Sequence, residues 1–173
     1  MLSGEFVGLR AIERDDLAQL LAWRNRPEMR RYFREYRELG GDQQHAWYEN
    51  VVLKDPATRM FSIVELGSGR LLGACGLCYI NWVDRNADFS IYLGADDLYI
   101  DTRLAPDAAR VLMRYGFEEL GLHRLWSEIY AFDTQKQALF DTLGFQQEAR
   151  YRESHWTEGS WQDALIYARL VHD

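Results

Sequence analysis

A change of hydrophobic period in the middle of the chain limits the folds open to it. Between residues 15 and 53 apolar residues recur at helical spacing. Leu17, Leu20 and Leu21 share one face, and Trp47 and Val51 lie four apart. From Phe61 the pattern becomes that of strands. Phe61–Leu66 runs into the turn Gly67-Ser68-Gly69, Arg70–Ile80 returns, and Ala87–Leu93 follows a polar turn at 81–86. This predicts a three-strand antiparallel meander. Before it stand a short strand (Phe6–Arg10), a helix opening at Asp15-Asp16 and stopping near Pro27, and a helix over Gln43–Leu53. After it come a loop at 94–105 and a helix from Pro106, with Asp107 at its positive end and a stripe of Ala108, Val111, Leu112 and Tyr115. Then follow a strand at Leu125–Tyr130 and a helix that Thr134 and Gln137 cap as a box. Two last strands, Phe145–Glu153 and Trp161–Val171, surround Glu158-Gly159. The order β-α-α-β-β-β-α-β-α-β-β predicts an α/β (α+β) fold: a mixed, mostly antiparallel sheet of about seven strands with helices on both faces.

Residues 1–173 contain no linker, repeat or low-complexity tract, which predicts one domain. The 27 Asp and Glu outnumber 20 Lys and Arg, for a formal net charge of −7. An acidic chain is a poor partner for nucleic acid or anionic lipid, both of which need a basic face. No apolar run reaches membrane-span length, and the start of the chain has no secretory pattern, so a cytoplasmic protein is expected. Cys75 and Cys78 are too few for a disulfide framework and have no second Cys/His pair for zinc. No base flanks them, so they read as buried thiols and not nucleophiles. No metal site is expected.

Several local motifs occur in one order. Leu21-Ala22-Trp23-Arg24-Asn25 carries W-R-N, and His45-Ala46-Trp47-Tyr48 carries H-x-W-Y. Ala87–Gly94 reads A-D-F-S-I-Y-L-G, and Tyr115–Arg124 reads Y-G-F-E-E-L-G-L-H-R. Leu143-Gly144-Phe145 and the Gly159 to Asp163 spacing follow. Together they resemble the GNAT acetyltransferase superfamily over nearly the whole chain, and within it the branch of ribosomal-protein N-terminal acetyltransferases and related small-molecule enzymes. The resemblance implies an N-acyltransferase acting on an amine of a small molecule or peptide N-terminus, with acetyl-CoA or another acyl-CoA as donor. It implies a splay between the fourth and fifth strands that holds the pantetheine arm along Ile91, Tyr92 and Leu93, with Asp133 at the family's arm-contacting Asn. It further implies a pyrophosphate held on backbone N–H groups at Arg103, Leu104 and Ala105, where the next helix begins. Many relatives dimerise through their sheets, which implies a homodimer.

The sequence departs from this pattern at functional positions. Arg103 replaces the first glycine of the phosphate loop, and Asp101 puts a carboxylate beside the expected phosphates. Arg103 offers a guanidinium that suits phosphate. Phe140 replaces a tyrosine that in many relatives protonates the leaving thiolate, and Phe has no proton to give. Lys136 stands where Ala or Ser is usual. These changes set a second reading beside the enzyme: a GNAT-fold protein with a lost or altered donor site, acting as a binding component or using another donor.

Asp88, at the family's Glu on the fourth strand, is the candidate base; the alternative is an outward-facing strand acid. Glu128 on the fifth strand is the second candidate. Arg24, Asn25, Trp47 and Trp82 are the candidate acceptor contacts. The arginines at 24, 26, 30, 31, 34 and 37 read either as a solvated face, interleaved with Glu28, Glu35 and Glu38, or as a site for an anionic group. Tyr99 is a substitute acid if its loop folds inward.

Overall fold

The computed structural model describes residues 1–173, and in it the switch of period becomes one eight-stranded sheet. β3 (Arg59–Glu65), β4 (Leu71–Asn81) and β5 (Asn86–Leu93) form the antiparallel meander. β2 (Val7–Ala11) pairs with β3, and the two-residue β1 (Leu2–Ser3) pairs with β2. β1 is the strand beyond the expected seven, and two residues are too few to show a period. On the other side β6 (Arg124–Tyr130) lies parallel to β5. β8 (Ser160–Leu170) and β7 (Gln146–Thr157) complete the order β1-β2-β3-β4-β5-β6-β8-β7. The parallel pair needs a crossover, which α4 (Leu104–Arg114) provides; a wide helical turn extends it to Glu119.

α1 (Leu17–Asn25), α2 (Pro27–Arg30) and α3 (Gly41–Trp47) cover one face of the sheet, and α4 and α5 (Thr134–Thr142) cover the other. Strand alternation sorts the side chains. Along β5, Ala87, Phe89, Ile91 and Leu93 enter the larger core with Leu112, Leu125, Leu139 and Phe140. Tyr92 enters the smaller core with Leu17, Leu20 and Trp23. Asp88 and Ser90 therefore point to the α1–α3 side. Gly94 lets Trp23 pack there, because a Cβ at Gly94 would lie 2.1 Å from the indole. Asp16 ties α1 to the sheet. It accepts hydrogen bonds from Arg10 (2.7 and 2.8 Å), Ser62 (2.7 Å) and the Glu13 N–H (2.9 Å). Burial works against its charge, but these donors hold its pKa below the ordinary value.

Two helix starts differ from expectation. α4 begins at Leu104, two residues before Pro106, because the Asp101 carboxylate caps its first N–H groups. α5 is capped by Asp133, not Thr134: Asp133 Oδ1 accepts the Lys136 N–H at 3.1 Å.

Candidate active site

β5 and β6 are paired only at Asn86–Arg124, Ala87–Leu125 and Asp88–Trp126. Beyond that point they part. Phe89–Tyr92 has no partner on this side, while β6 continues to Tyr130 paired with β8 alone. This is the splay the sequence implied, between the fifth and sixth strands once β1 is counted. A cleft of about 400 Å³ opens over it. Arg24, Phe33 and Arg34 wall it on one side, and Ser127, Tyr130 and Lys136 on the other.

Alternation places Asp88 at the point of divergence, facing the cleft and only 5% exposed. Burial pushes its carboxyl up to about 6, against the opposing pull of Arg34 and Lys136. A carboxyl that changes charge near neutrality inside a cleft is suited to proton transfer. Arg34 reaches in from the arginine-rich segment. Its Nη1 is 3.0 Å from Glu128 Oε2, and its Nη2 is 3.5 Å from Asp88 Oδ2. Glu128 Oε1 contacts His155 Nε2 at 2.7 Å. Both Glu128 oxygens are thus engaged, and Asp88 is the freer of the two acids.

Phe140 lies in the core among Phe89, Phe145 and Tyr167, with ring centroids 6.2, 4.8 and 5.5 Å away. It is remote from any proton-transfer role. Tyr99 does not replace it. Its hydroxyl is buried and donates to Asp133 Oδ2 at 2.6 Å, and burial with that carboxylate raises its pKa well above the ordinary value. The α5 residue that lines the cleft is Lys136, one turn before Phe140. Burial lowers its pKa, while Asp133 and Asp88 act the other way. The sequence showed Lys136 only as a departure; a lysine four residues before a core Phe on one helix was the available signal.

Of the remaining candidates, Tyr92, Trp47 and Arg24 line the cleft. The Arg24 guanidinium stands 5.3 Å from the Phe33 ring centre. The side chains of Ile91 and Leu93 are core, and the Leu93 N–H is taken by Tyr99 O at 2.8 Å. Asn25 and Trp82 are not brought into the cleft. The Asn25 amide holds both backbone groups of Leu39 (2.8 and 3.1 Å), closing the arginine-rich loop on itself. The Trp82 indole N–H donates to Pro56 O from an exposed turn. Cys78 borders the cleft, but burial pushes its thiol up to about 12, which leaves no thiolate to react.

The acetyltransferase (GNAT) domain family matches residues 7–146, from β2 to the start of β7. The chain belongs to the GNAT acetyltransferase family. Spermidine N(1)-acetyltransferase of Escherichia coli (strain K12) is 29% identical over 173 residues, covering 99% of this chain and 90% of that protein. The Vibrio cholerae enzyme of the same name is 27% identical over 155 residues, covering 90% and 87%. A crystal structure of spermidine N-acetyltransferase from Vibrio cholerae in complex with CoA and spermine shares the fold, with a TM-score of 0.85 over 95% of each chain at 24% identity. These relatives are named for a small-molecule amine, the small-molecule side of the branch that the motifs resembled.

A GNAT acetyltransferase transfers the acetyl group of acetyl-CoA to an amine. In this chain β5 and the start of α4 stand where the resemblance places that donor. The unpaired edge of β5 offers backbone partners to an amide-bearing arm. The first turn of α4 does not offer its N–H groups to a pyrophosphate, because Asp101 accepts from Leu104 N at 3.0 Å and Ala105 N at 2.7 Å. The Arg103 guanidinium lies flat against Phe6, 4.1 Å from the ring centre.

Proposed function

We propose that this GNAT acetyltransferase, with residues 1–173 acting as one domain, acetylates a primary amine of a small polyamine-like cation. The observation that carries this is the Asp88–Glu128 pair, which grips a cation at the splay. In the free protein that cation is Arg34, on a side chain 43% exposed and therefore displaceable. An ammonium of the acceptor takes the same two carboxylates. Glu35 and Asp55 also line the cleft wall, Glu35 held by Arg37 (2.8 and 2.9 Å) and Asp55 by the Ala57 N–H (2.9 Å) and the Thr58 hydroxyl (2.7 Å). The names of the relatives support the same acceptor class.

Acetyl-CoA supplies the acetyl group. On the side of this chain, Glu128 fixes the acceptor's charge, and Asp88 takes the proton from the reacting nitrogen. A carboxyl with a pKa of about 6 is ionised at neutral pH and basic enough for that step. Lys136 lines the opposite wall, on the helix where Phe140 brings no hydroxyl. No helix of the chain is long and apolar enough to cross a membrane. That fits a cytoplasmic acceptor. The exposed Trp156 and Trp161, 5.4 Å apart between ring centres on the β7–β8 hairpin, support self-association through that edge.

The test is thiol release from acetyl-CoA with spermidine, spermine or a tripeptide with a free N-terminus, and mass spectrometry of the products. Acetylated polyamine is expected. Acetylated peptide alone would return the acceptor to the ribosomal-protein type. No product from any amine would favour a binding role. Light scattering gives the oligomeric state.

A further inference from the structure

The start of α4 is closed by the chain's own carboxylates. Asp101 takes the N–H groups of Leu104 and Ala105, two of the three on which the resemblance places a pyrophosphate. Asp107, buried in the same first turn, takes the N–H groups of Glu5, Phe6 and Val7 at 3.1, 2.7 and 3.0 Å. It clamps the N-terminal segment along the helix start. Gly4 passes there only because it lacks a side chain, since a Cβ would lie 2.6 Å from the Asp107 carboxylate. Arg103, the group able to offset these charges, is stacked on Phe6. No glycine occurs between Gly94 and Gly116, so nothing in this loop lets a phosphate approach the backbone without meeting a Cβ. The splay is different: its strand edge is unpaired from Phe89 to Tyr92, and its cleft is open.

We propose that this enzyme selects its acetyl donor by the pantetheine arm alone, and that Asp101 excludes the donor's phosphates from α4. The proposal rests on reading the splay as the donor site. A pyrophosphate at α4 would have to displace Asp101, break its two hydrogen bonds and sit beside a charge of its own sign. An arm without a nucleotide loses nothing there. S-acetyl-pantetheine is therefore a donor comparable to acetyl-CoA.

Calorimetric titration of the full chain with CoA, pantetheine and adenosine 3′,5′-bisphosphate decides it. CoA and pantetheine should bind within about threefold of each other, and the bisphosphate should give no binding heat at about 5 mM. Asp101→Asn should tighten CoA by about tenfold and leave pantetheine unchanged. The proposal is overturned if the unaltered protein binds CoA more than about thirtyfold tighter than pantetheine. It is equally overturned if Arg103→Ala weakens CoA and spares pantetheine, since the phosphates would then be held by that guanidinium. If neither CoA nor pantetheine binds at about 5 mM, the splay is not a donor site and the reading beneath the proposal fails with it. The ratio measured on the unaltered protein is sufficient even where the Asp101 variant does not fold.

Discussion

Asp88→Asn should make the protein more stable at neutral pH while removing its activity. The carboxyl titrates at 3.8 in an ordinary setting and at about 6 in the fold. A raised acid keeps its proton in the native state after the unfolded chain has lost it. Between those two values, stability therefore falls as pH rises, and by pH 7 the whole effect is in place. A difference of about two units, at about 1.4 kcal/mol each, destabilises the native state by about 3 kcal/mol. Asn keeps the volume and carries no charge. The pull of Arg34, 3.5 Å away, is already contained in that raised value. The gain is about 3 kcal/mol at pH 7 and close to zero below pH 4. Urea unfolding of both proteins at pH 4, 6 and 7 reads this directly. With a slope of about 2 kcal/mol per M, the midpoint should rise by about 1.5 M at pH 7. Over the same substitution kcat should fall by about 10²–10⁴. The reasoning fails if the Asn variant is less stable at pH 7, or if its gain is the same at pH 4 and pH 7.

Lys136→Met removes a cation near Asp88, so the acidic limb of kcat/KM should move above pH 6 by about one unit; a pH–rate profile shows it. Asp16→Ala leaves Arg10 and Ser62 without their partner and should cost about 3 kcal/mol in urea unfolding. In the unaltered protein, Asp16 stabilises the fold above its ordinary pKa of 3.8, and that contribution is lost as pH falls through its lower folded value. Gly94→Ala drives a methyl into the Trp23 indole and should lower stability by about 1–3 kcal/mol in urea unfolding, with a shift in tryptophan emission.

The order of elements was legible because each rests on a local signal. The Gly67-Ser68-Gly69 turn, the polar turn at 81–86 and the stop near Pro27 all speak within a few residues. For Asp88 the sequence left base and outward-facing acid open, and the side of the sheet followed once Tyr92 was seen against Trp23. What the sequence could not show depends on contacts far apart in the chain. Arg34 meets Asp88 and Glu128 across 54 and 94 residues. Asn25 reads like a substrate contact beside Arg24, yet its amide is spent on Leu39. Trp82 was drawn to the cleft by its polar surroundings, which prove to be an outer turn. Asp101 was visible as an odd residue in a phosphate loop, but its capping of Leu104 and Ala105 is a matter of backbone geometry.

The place of β8 in the sheet bears on how the protein is made. β7 is synthesised before β8, yet its only partner is β8, and β6 keeps one edge bare until β8 slides between them. β8, synthesised after both of its neighbours, is thus an interior strand. While it is still in the exit tunnel, β6 and β7 present unpaired edges to neighbouring nascent chains, which are ready templates for wrong pairing. Completion of this sheet waits for β8 by topology. Removing β8 should be felt first as misassembly in the cell, and only then as lost chemistry.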